Sequence, residues 1–179
     1  GPNGAAYTFA AQKGADKDMK NTLDKGMHHF ADIILKHYGI NIKDIPGAGA
    51  AGGRGGSLKA VLNANLKRGI DIILNTINFE KQIEDCNLVI TGEGHIDHQT
   101  MMSKAPSGVL RIAQKKGIPV IALGGRVTMC EELKNSGFQD ILCITPHSMP
   151  IHQAIHPQTA TSNLRNTAIH IARMFTQSD

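Results

Sequence analysis

The sequence predicts an α/β fold built on a parallel sheet, and three observations predict it. From Asn87 onward, short apolar runs alternate with stretches of helical spacing, the pattern of parallel strands joined by crossover helices. Before that point, one long amphipathic stretch and two shorter apolar ones are read as helices, with no strand among them. Between them lies a glycine-dense run, Gly47 to Gly56, the one place where the chain reads as a lobe boundary or a binding loop. The expected architecture is a parallel, three-layer, Rossmann-like part over residues 87–179. A smaller, mostly helical, Gly-rich lobe is expected over residues 1–86.

Taken in order, Asp16 to Tyr38 is the clearest helix. Leu23, Met27, Phe30, Ala31 and Ile34 fall on one face, Asp16 and Asp18 suit its positive end, and Gly39 stops it. After the glycine run, Ser57 is expected to cap a helix carrying Leu58, Val61, Leu62 and Leu66, and residues 70–77 read as helix. Strand 88–91 precedes helix 105–116, which has Pro106 in its first turn and Gly117 past its end. Ser103 opens the approach to that helix. Strand 118–123, a short helix around 129–136 closed by Gly137, and strand 141–145 ending at Pro146 follow. Helix 158–175 closes the chain, with Leu164, Ala168, Ile171, Ala172 and Phe175 on one face.

Composition narrows the function classes. With 179 residues, 41% hydrophobic and 19% charged, the chain is an ordinary globular one, and 4% aromatic with no Trp makes its core aliphatic. No apolar run approaches the roughly 20 residues that span a bilayer, and no signal-peptide pattern opens the chain. The net charge of +4 is dispersed, with Lys67-Arg68 and Lys115-Lys116 as the longest basic runs. These carry no interleaved aromatics, so neither nucleic acid nor membrane is an expected partner. Cys86, Cys130 and Cys143 are odd in number and widely spaced, which indicates neither a disulfide framework nor a zinc knuckle, and the reading is cytoplasmic. The chain opens on Gly1 rather than Met, so processing, truncation or cloning is expected to have set its start.

The chemistry concentrates in Leu88-Val89-Ile90-Thr91-Gly92-Glu93-Gly94-His95-Ile96-Asp97 and the Lys104-Ala105-Pro106 helix start beyond it. Ligands of an open parallel sheet bind at the carboxyl ends of its strands. Here Thr91 to Asp97 reads as a strand-end turn. Gly92 and Gly94 permit close backbone approach or positive φ. Glu93 and Asp97 supply a metal ligand and a base, in either order, and Lys104 a cation facing phosphate. The competing reading has both carboxylates merely capping neighbouring amides. Gly124-Gly125-Arg126, at the end of the next strand, is positioned to contact phosphate or nucleotide. His95-x-Asp97-His98 has no recognised zinc spacing.

Gly47-x-Gly49-x-x-Gly52, with Asp71 further on, formally satisfies a dinucleotide fingerprint and would make the chain an NAD-dependent oxidoreductase. The preceding Asn41 to Pro46 is too polar for the buried strand that fingerprint needs. The preferred role for Gly47, Gly49, Gly52 and Gly53 is a backbone-amide cradle for an anion, against the alternative of a flexible linker. No Walker A sequence is present.

Thr91-Gly92-Glu93-Gly94 with Ile96-Asp97, Gln99-Thr100 and Lys104-Ala105-Pro106 resembles the most recognisable stretch of the bacterial glycerate kinases of type I. Three further segments agree in order and spacing: Gly1-Pro2-Asn3-Gly4-Ala5 with Gln12-Lys13-Gly14, Pro46 to Gly53, and Pro119 to Gly125. The resemblance covers only the second half of such an enzyme, and the amino-terminal "KDSFKGS" and "ADGGEGT" motifs have no counterpart. It implies ATP-dependent phosphorylation of D-glycerate to 2-phosphoglycerate, or 3-phosphoglycerate, with Mg²⁺ as the metal. Asp97, Lys104 and Glu93 would be catalytic, with Glu93 a Mg²⁺ ligand. Gly47, Gly49, Gly52, Gly53, Thr91, Gly92, Gly94, Gly124 and Gly125 would bind substrate or nucleotide. The family usually carries Arg where this chain has His95. The missing half is the expected partner, a homodimer is compatible, and the chain alone is expected to be inactive. A folded, non-catalytic fragment is the alternative.

Overall fold

The computed structural model describes residues 3–102 and 104–176, so Gly1 and Pro2 of the first motif and Ser103 lie outside the described residues. The chain divides into two compact units, one through Arg68 and one from Gly69.

The first unit is helical. Helix α1 (Ala5–Phe9) is followed by a 3-10 turn at Ala11–Lys13 and by α2, Lys17–Tyr38. The ends of α2 are those the sequence predicts. The Asp16 carboxylate accepts from the Met19 amide at 2.8 Å, and Gly39 takes the left-handed conformation at φ 69°. Ala31 and Ile34 on its inner face meet Ile42, Ala48 and Ala60 in a small aliphatic core.

Helix α3 (Ala50–Leu62) is broken near its start, where Ala51, Gly52 and Gly53 are all left-handed at φ 52°, 68° and 92°. The continuous part therefore begins before Ser57, which does not cap it. The Ser57 hydroxyl donates to the Gly53 carbonyl at 3.4 Å, and the helix ends at Leu62 with Asn63 left-handed, not at Leu66. Gly55 and Gly56 explain the displacement. Both are buried, a Cβ on Gly55 would run into the Gly47 carbonyl oxygen, and one on Gly56 would stand 2.7 Å from Ile42 Cδ1. The glycine run thus serves partly to fold the loop down onto its own helix.

In the second unit, α4 (Gly69–Thr76) and α5 (Phe79–Gln82) lead to β1, Val89–Ile96. Then come α6 (Ala105–Lys115), β2 (Val120–Val127), α7 (Glu131–Lys134), β3 (Asp140–Cys143), α8 (Ile151–Ala154) and α9 (Pro157–Thr176). The sheet is parallel throughout, in the order β1-β2-β3. Val120, Ile121 and Ala122 are all essentially inaccessible, so both faces of the central strand are covered. The division between units falls eighteen residues before the boundary expected after residue 86. Burial accounts for this: Leu74 of α4 and Ile83 after α5 share a core with Val89, Val109, Leu110, Ile112 and Val120. Among the described residues no helix is long and apolar enough to cross a membrane.

Two opposite substitutions in the glycine loop test its backbone. A non-glycine residue in the left-handed region costs roughly 1–2 kcal/mol, part of which glycine's greater freedom in the unfolded chain takes back. Ala51→Gly is expected to stabilise by about 0.5–1 kcal/mol in urea unfolding. Gly55→Ala, which has no room, is expected to destabilise by about 1–3 kcal/mol.

Candidate active site

The strands run further than glycine-rich sequence suggests, and this builds the site. Thr91 to Ile96 is not a turn. It is strand, paired with β2 from Val89↔Val120 to Glu93↔Gly124 and again at His95↔Arg126 and Ile96↔Val127. Gly92 and Gly94 do not have positive φ. At Gly92, Gly124 and Gly125 the reason for glycine is close approach of backbone. An added Cβ would stand 2.9 Å from the Leu123 oxygen, 2.6 Å from the Arg126 oxygen and 2.8 Å from the Gly94 oxygen, respectively. Gly94 alone of the four faces open space.

Past the end of β1, Asp97 caps a 3-10 turn, His98–Met101. Its Oδ1 accepts from the Gln99 amide at 2.9 Å. Thr100, wholly buried, closes the capping box. Its hydroxyl donates to Glu93 Oε1 and accepts from the Asp97 amide at 3.1 Å. One hydroxyl therefore joins the two carboxylate-bearing segments. Lys104, the N-cap residue of α6, then lays its Nζ 3.7 Å from Glu93 Oε2 and 3.8 Å from Asp97 Oδ1. His95 Nδ1 lies 3.8 Å from Asp97 Oδ2, while its Nε2 is 2.9 Å from the Thr128 hydroxyl.

The three residues that sequence reading assigned to catalysis are thus brought together. Both carboxylates are mostly buried, at 18% and 19% exposure, and Lys104 reaches them from a more open position at 39%. At 3.7–3.8 Å these are ion pairs without hydrogen bonds, so a ligand can displace the ammonium from either partner at small cost. Two carboxylates and one ammonium leave the cluster with an excess negative charge, which suits a cation. Among the described residues no group of three or more His, Cys, Asp or Glu side chains can hold a metal. A site of two carboxylates, completed by water and by phosphate oxygens, is the usual way Mg²⁺ is bound. The donor set fits that ion and not a zinc cage.

The Gly47–Gly53 loop belongs to the other unit. Gly47, Gly52 and Gly53 have positive φ, whereas Gly49 is right-handed and packs against Ala5, where a Cβ would meet Ala5 Cβ at 3.2 Å. The amides of Ala48, Ala50 and Gly53 are spent on the Ile45, Gly47 and Gly49 carbonyls, at 3.0, 3.0 and 3.1 Å. No strand precedes this loop among the described residues, so the dinucleotide fingerprint lacks the element that gives it meaning. Thr100 is the functional residue that reading by residue type missed. Its signal was the Asp97-x-x-Thr100 spacing of a capping box.

The fold is thus α/β, with a carboxylate pair and a lysine gathered where β1 ends and α6 starts, the edge at which open parallel sheets bind ligands. Residues 1–176 match the Glycerate kinase family, and the chain belongs to it. It is 42% identical to a glycerate kinase of Bacillus subtilis (strain 168) over 96% of this chain and 45% of that one. Against the glycerate 2-kinase of Escherichia coli (strain K12) it is 48% identical over 128 residues, which are 72% of this chain and 34% of the other. A crystal structure from Salmonella typhimurium LT2, described as glycerate kinase 2, superposes with a TM-score of 0.66 at 34% identity, covering 99% of this chain and 45% of that one. The matches span between about a third and a little under half of the length of these relatives.

Thr100→Val keeps the shape of the side chain but removes its hydroxyl. It leaves the Asp97 amide without an acceptor and the Glu93 carboxylate without a donor. The expected cost is about 1–3 kcal/mol in chemical denaturation, with Thr100→Ser close to the parent.

Proposed function

We propose that this chain forms the carboxyl-terminal portion of an ATP-dependent kinase that phosphorylates D-glycerate, giving 2-phosphoglycerate. The observation that carries this reading is the convergence of Glu93 and Asp97 on Lys104. The name of the 48%-identical relative, glycerate 2-kinase, favours the 2-phosphate over the 3-phosphate. Membership in the family supports a kinase, and an amino-terminal portion would complete it.

Phosphoryl transfer asks a protein chiefly for positioning and for charge placed where charge develops. Asp97 Oδ1 is held by the Gln99 amide, while Oδ2 receives no hydrogen bond from the described residues and faces His95. That free oxygen takes the proton of the attacking glycerate hydroxyl. Glu93 is fixed through Oε1 by Thr100, and its Oε2 is turned toward Lys104. Lys104 leaves its loose pairs to lie against the transferring phosphoryl group and neutralise it. Glu93, with Asp97 beside it, would hold Mg²⁺, which when bound neutralises charge on the phosphate oxygens. Gly94, with open space at its Cβ position, lets a ligand approach the strand, while Gly124 and Gly125 carry the backbone past the same point. In its own unit, the Gly47–Gly53 loop would offer an anion only those amides that are not spent as Ala48, Ala50 and Gly53 are.

Asp97→Asn keeps the capping geometry and removes the base. Assayed with the complementary amino-terminal portion of a relative, ATP, Mg²⁺ and D-glycerate, it should lower kcat by about 10²–10⁴-fold with the melting temperature nearly unchanged. Lys104→Met should weaken binding of Mg²⁺-tripolyphosphate, followed by calorimetry on the chain itself. Near-normal values for both variants would make the cluster structural. The chain alone should not turn over, and a rate of roughly 1 s⁻¹ or more without the complementary portion would refute the half-enzyme reading.

A further inference from the structure

A second cleft, of about 270 Å³, opens between the carboxyl end of β3 and helix α9. Leu142 and Cys143 form its sheet side, and Asn163, Asn166, Thr167 and His170 its helix side. It shares a rung of the sheet with the carboxylate site: Cys143 pairs with Gly124, and Gly124 pairs with Glu93. Two interstrand spacings, roughly 10 Å, therefore separate the two sites. On that rung Gly124 stands between Glu93 and Cys143, and the Cys143 thiol reaches the Gly125 carbonyl at 3.7 Å.

The chemistry of this cleft differs from that of its neighbour. No Lys, Arg, Asp or Glu lines it, so it suits a neutral group. Its polar groups are available. The Asn166 and His170 side chains make no hydrogen bond among the described residues, and the buried Asn163 side-chain amide donates there only to Met149 Sδ at 3.6 Å. The Thr167 hydroxyl donates to the Asn163 carbonyl at 3.0 Å and keeps its acceptor lone pair. The volume falls below the roughly 300–1,000 Å³ of a pocket for a whole small molecule, which makes it a pocket for part of one. A flat, neutral heterocycle with donors and acceptors at its rim matches an apolar floor, side-chain amides and an imidazole.

We infer that this cleft receives the base of the nucleoside triphosphate, whose phosphates run along Gly124 and Gly125 toward Lys104. This rests on the phosphoryl-transfer reading above and deepens it. Asn163, Asn166 and His170 are then residues that select the base.

Maleimide labelling of the native chain, read by peptide mass mapping, tests this. Cys143 lies in the cleft, and exposed Cys86 lies outside it and serves as the internal reference. Adenosine near its solubility limit should slow labelling of Cys143 at least fivefold and leave Cys86 unchanged. Asn166→Leu and His170→Ala, both at exposed positions, should abolish that protection. Lys104→Met should retain it. Unprotected Cys143, or equal protection of both cysteines, overturns the proposal. Calorimetry with Mg²⁺-tripolyphosphate separates the two readings. Lys104-dependent binding of tripolyphosphate without adenosine protection leaves the phosphate site standing and removes the base pocket. Adenosine protection with no Lys104-dependent tripolyphosphate binding does the reverse.

Discussion

The close approach of β1 and β2 backbones is the constraint on which the rest of the second unit depends. Where a side chain would stand at Gly92 or Gly125, a carbonyl oxygen of the neighbouring strand stands instead, and at Gly124 the Arg126 oxygen of its own strand. Glycine is a poor strand former on its own, because it pays the most conformational entropy and offers nothing to pack. Here that cost is met by the pairing that its absence of a side chain permits, and by Ile96, which is fully buried beside Val127, Ala122 and Leu133. The strands consequently run on to Ile96 and Val127. Glu93 sits inside a paired strand, and Asp97 at its immediate exit. A carboxylate on a ladder is held with less freedom than one on a loop, which is what positioning chemistry requires.

A second layer of constraint comes from Thr100. Its buried hydroxyl serves the Asp97 amide and the Glu93 carboxylate at once, so the strand and the turn after it cannot shift independently. Lys104 follows at the N-cap of α6, where Pro106 in the first turn suits the helix start. The distance along the chain from Asp97 to Lys104 is thus set by two helix starts in succession, one 3-10 and one α. Only then does the ammonium return to both carboxylates.

Residue type and spacing carried much of this. Helix α2 was legible to its caps because Asp16 and Gly39 act locally. That Glu93, Asp97 and Lys104 gather in one place was legible because two carboxylates and a lysine follow closely on one strand end. What was not legible depends on partners distant in the chain. Gly92 and Gly94 read as a turn because the strand that accepts them, with its own Gly124-Gly125, is remote in sequence. Ser57 read as a cap because nothing nearby announces that Gly55 must pack against Gly47. The sequence places the lobe boundary after residue 86, whereas the compact units divide after Arg68, and α4, apolar at both periods, carries no local sign of the unit it joins. Only tertiary burial of Leu74 and Ile83 with Val89 shows that it belongs to the sheet.

The charge balance of the site connects these constraints to the proposed chemistry. Glu93 and Asp97 together outweigh Lys104, and His95 adds a positive charge only when protonated. A triphosphate or a hydroxy acid brought to such a cluster meets like charge, and one lysine does not reverse it. On the proposed reading Glu93 would hold Mg²⁺, whose charge would offset this excess for an anionic ligand, and Lys104, in long ion pairs, would turn to the phosphoryl group. A lysine locked in short, hydrogen-bonded pairs would have to break them first, at the moment the transition state forms. At 3.7 and 3.8 Å it has little to break. On the proposed reading the site would use that loose pairing, while the backbone glycines and the Thr100 hydroxyl hold the carboxylates in place.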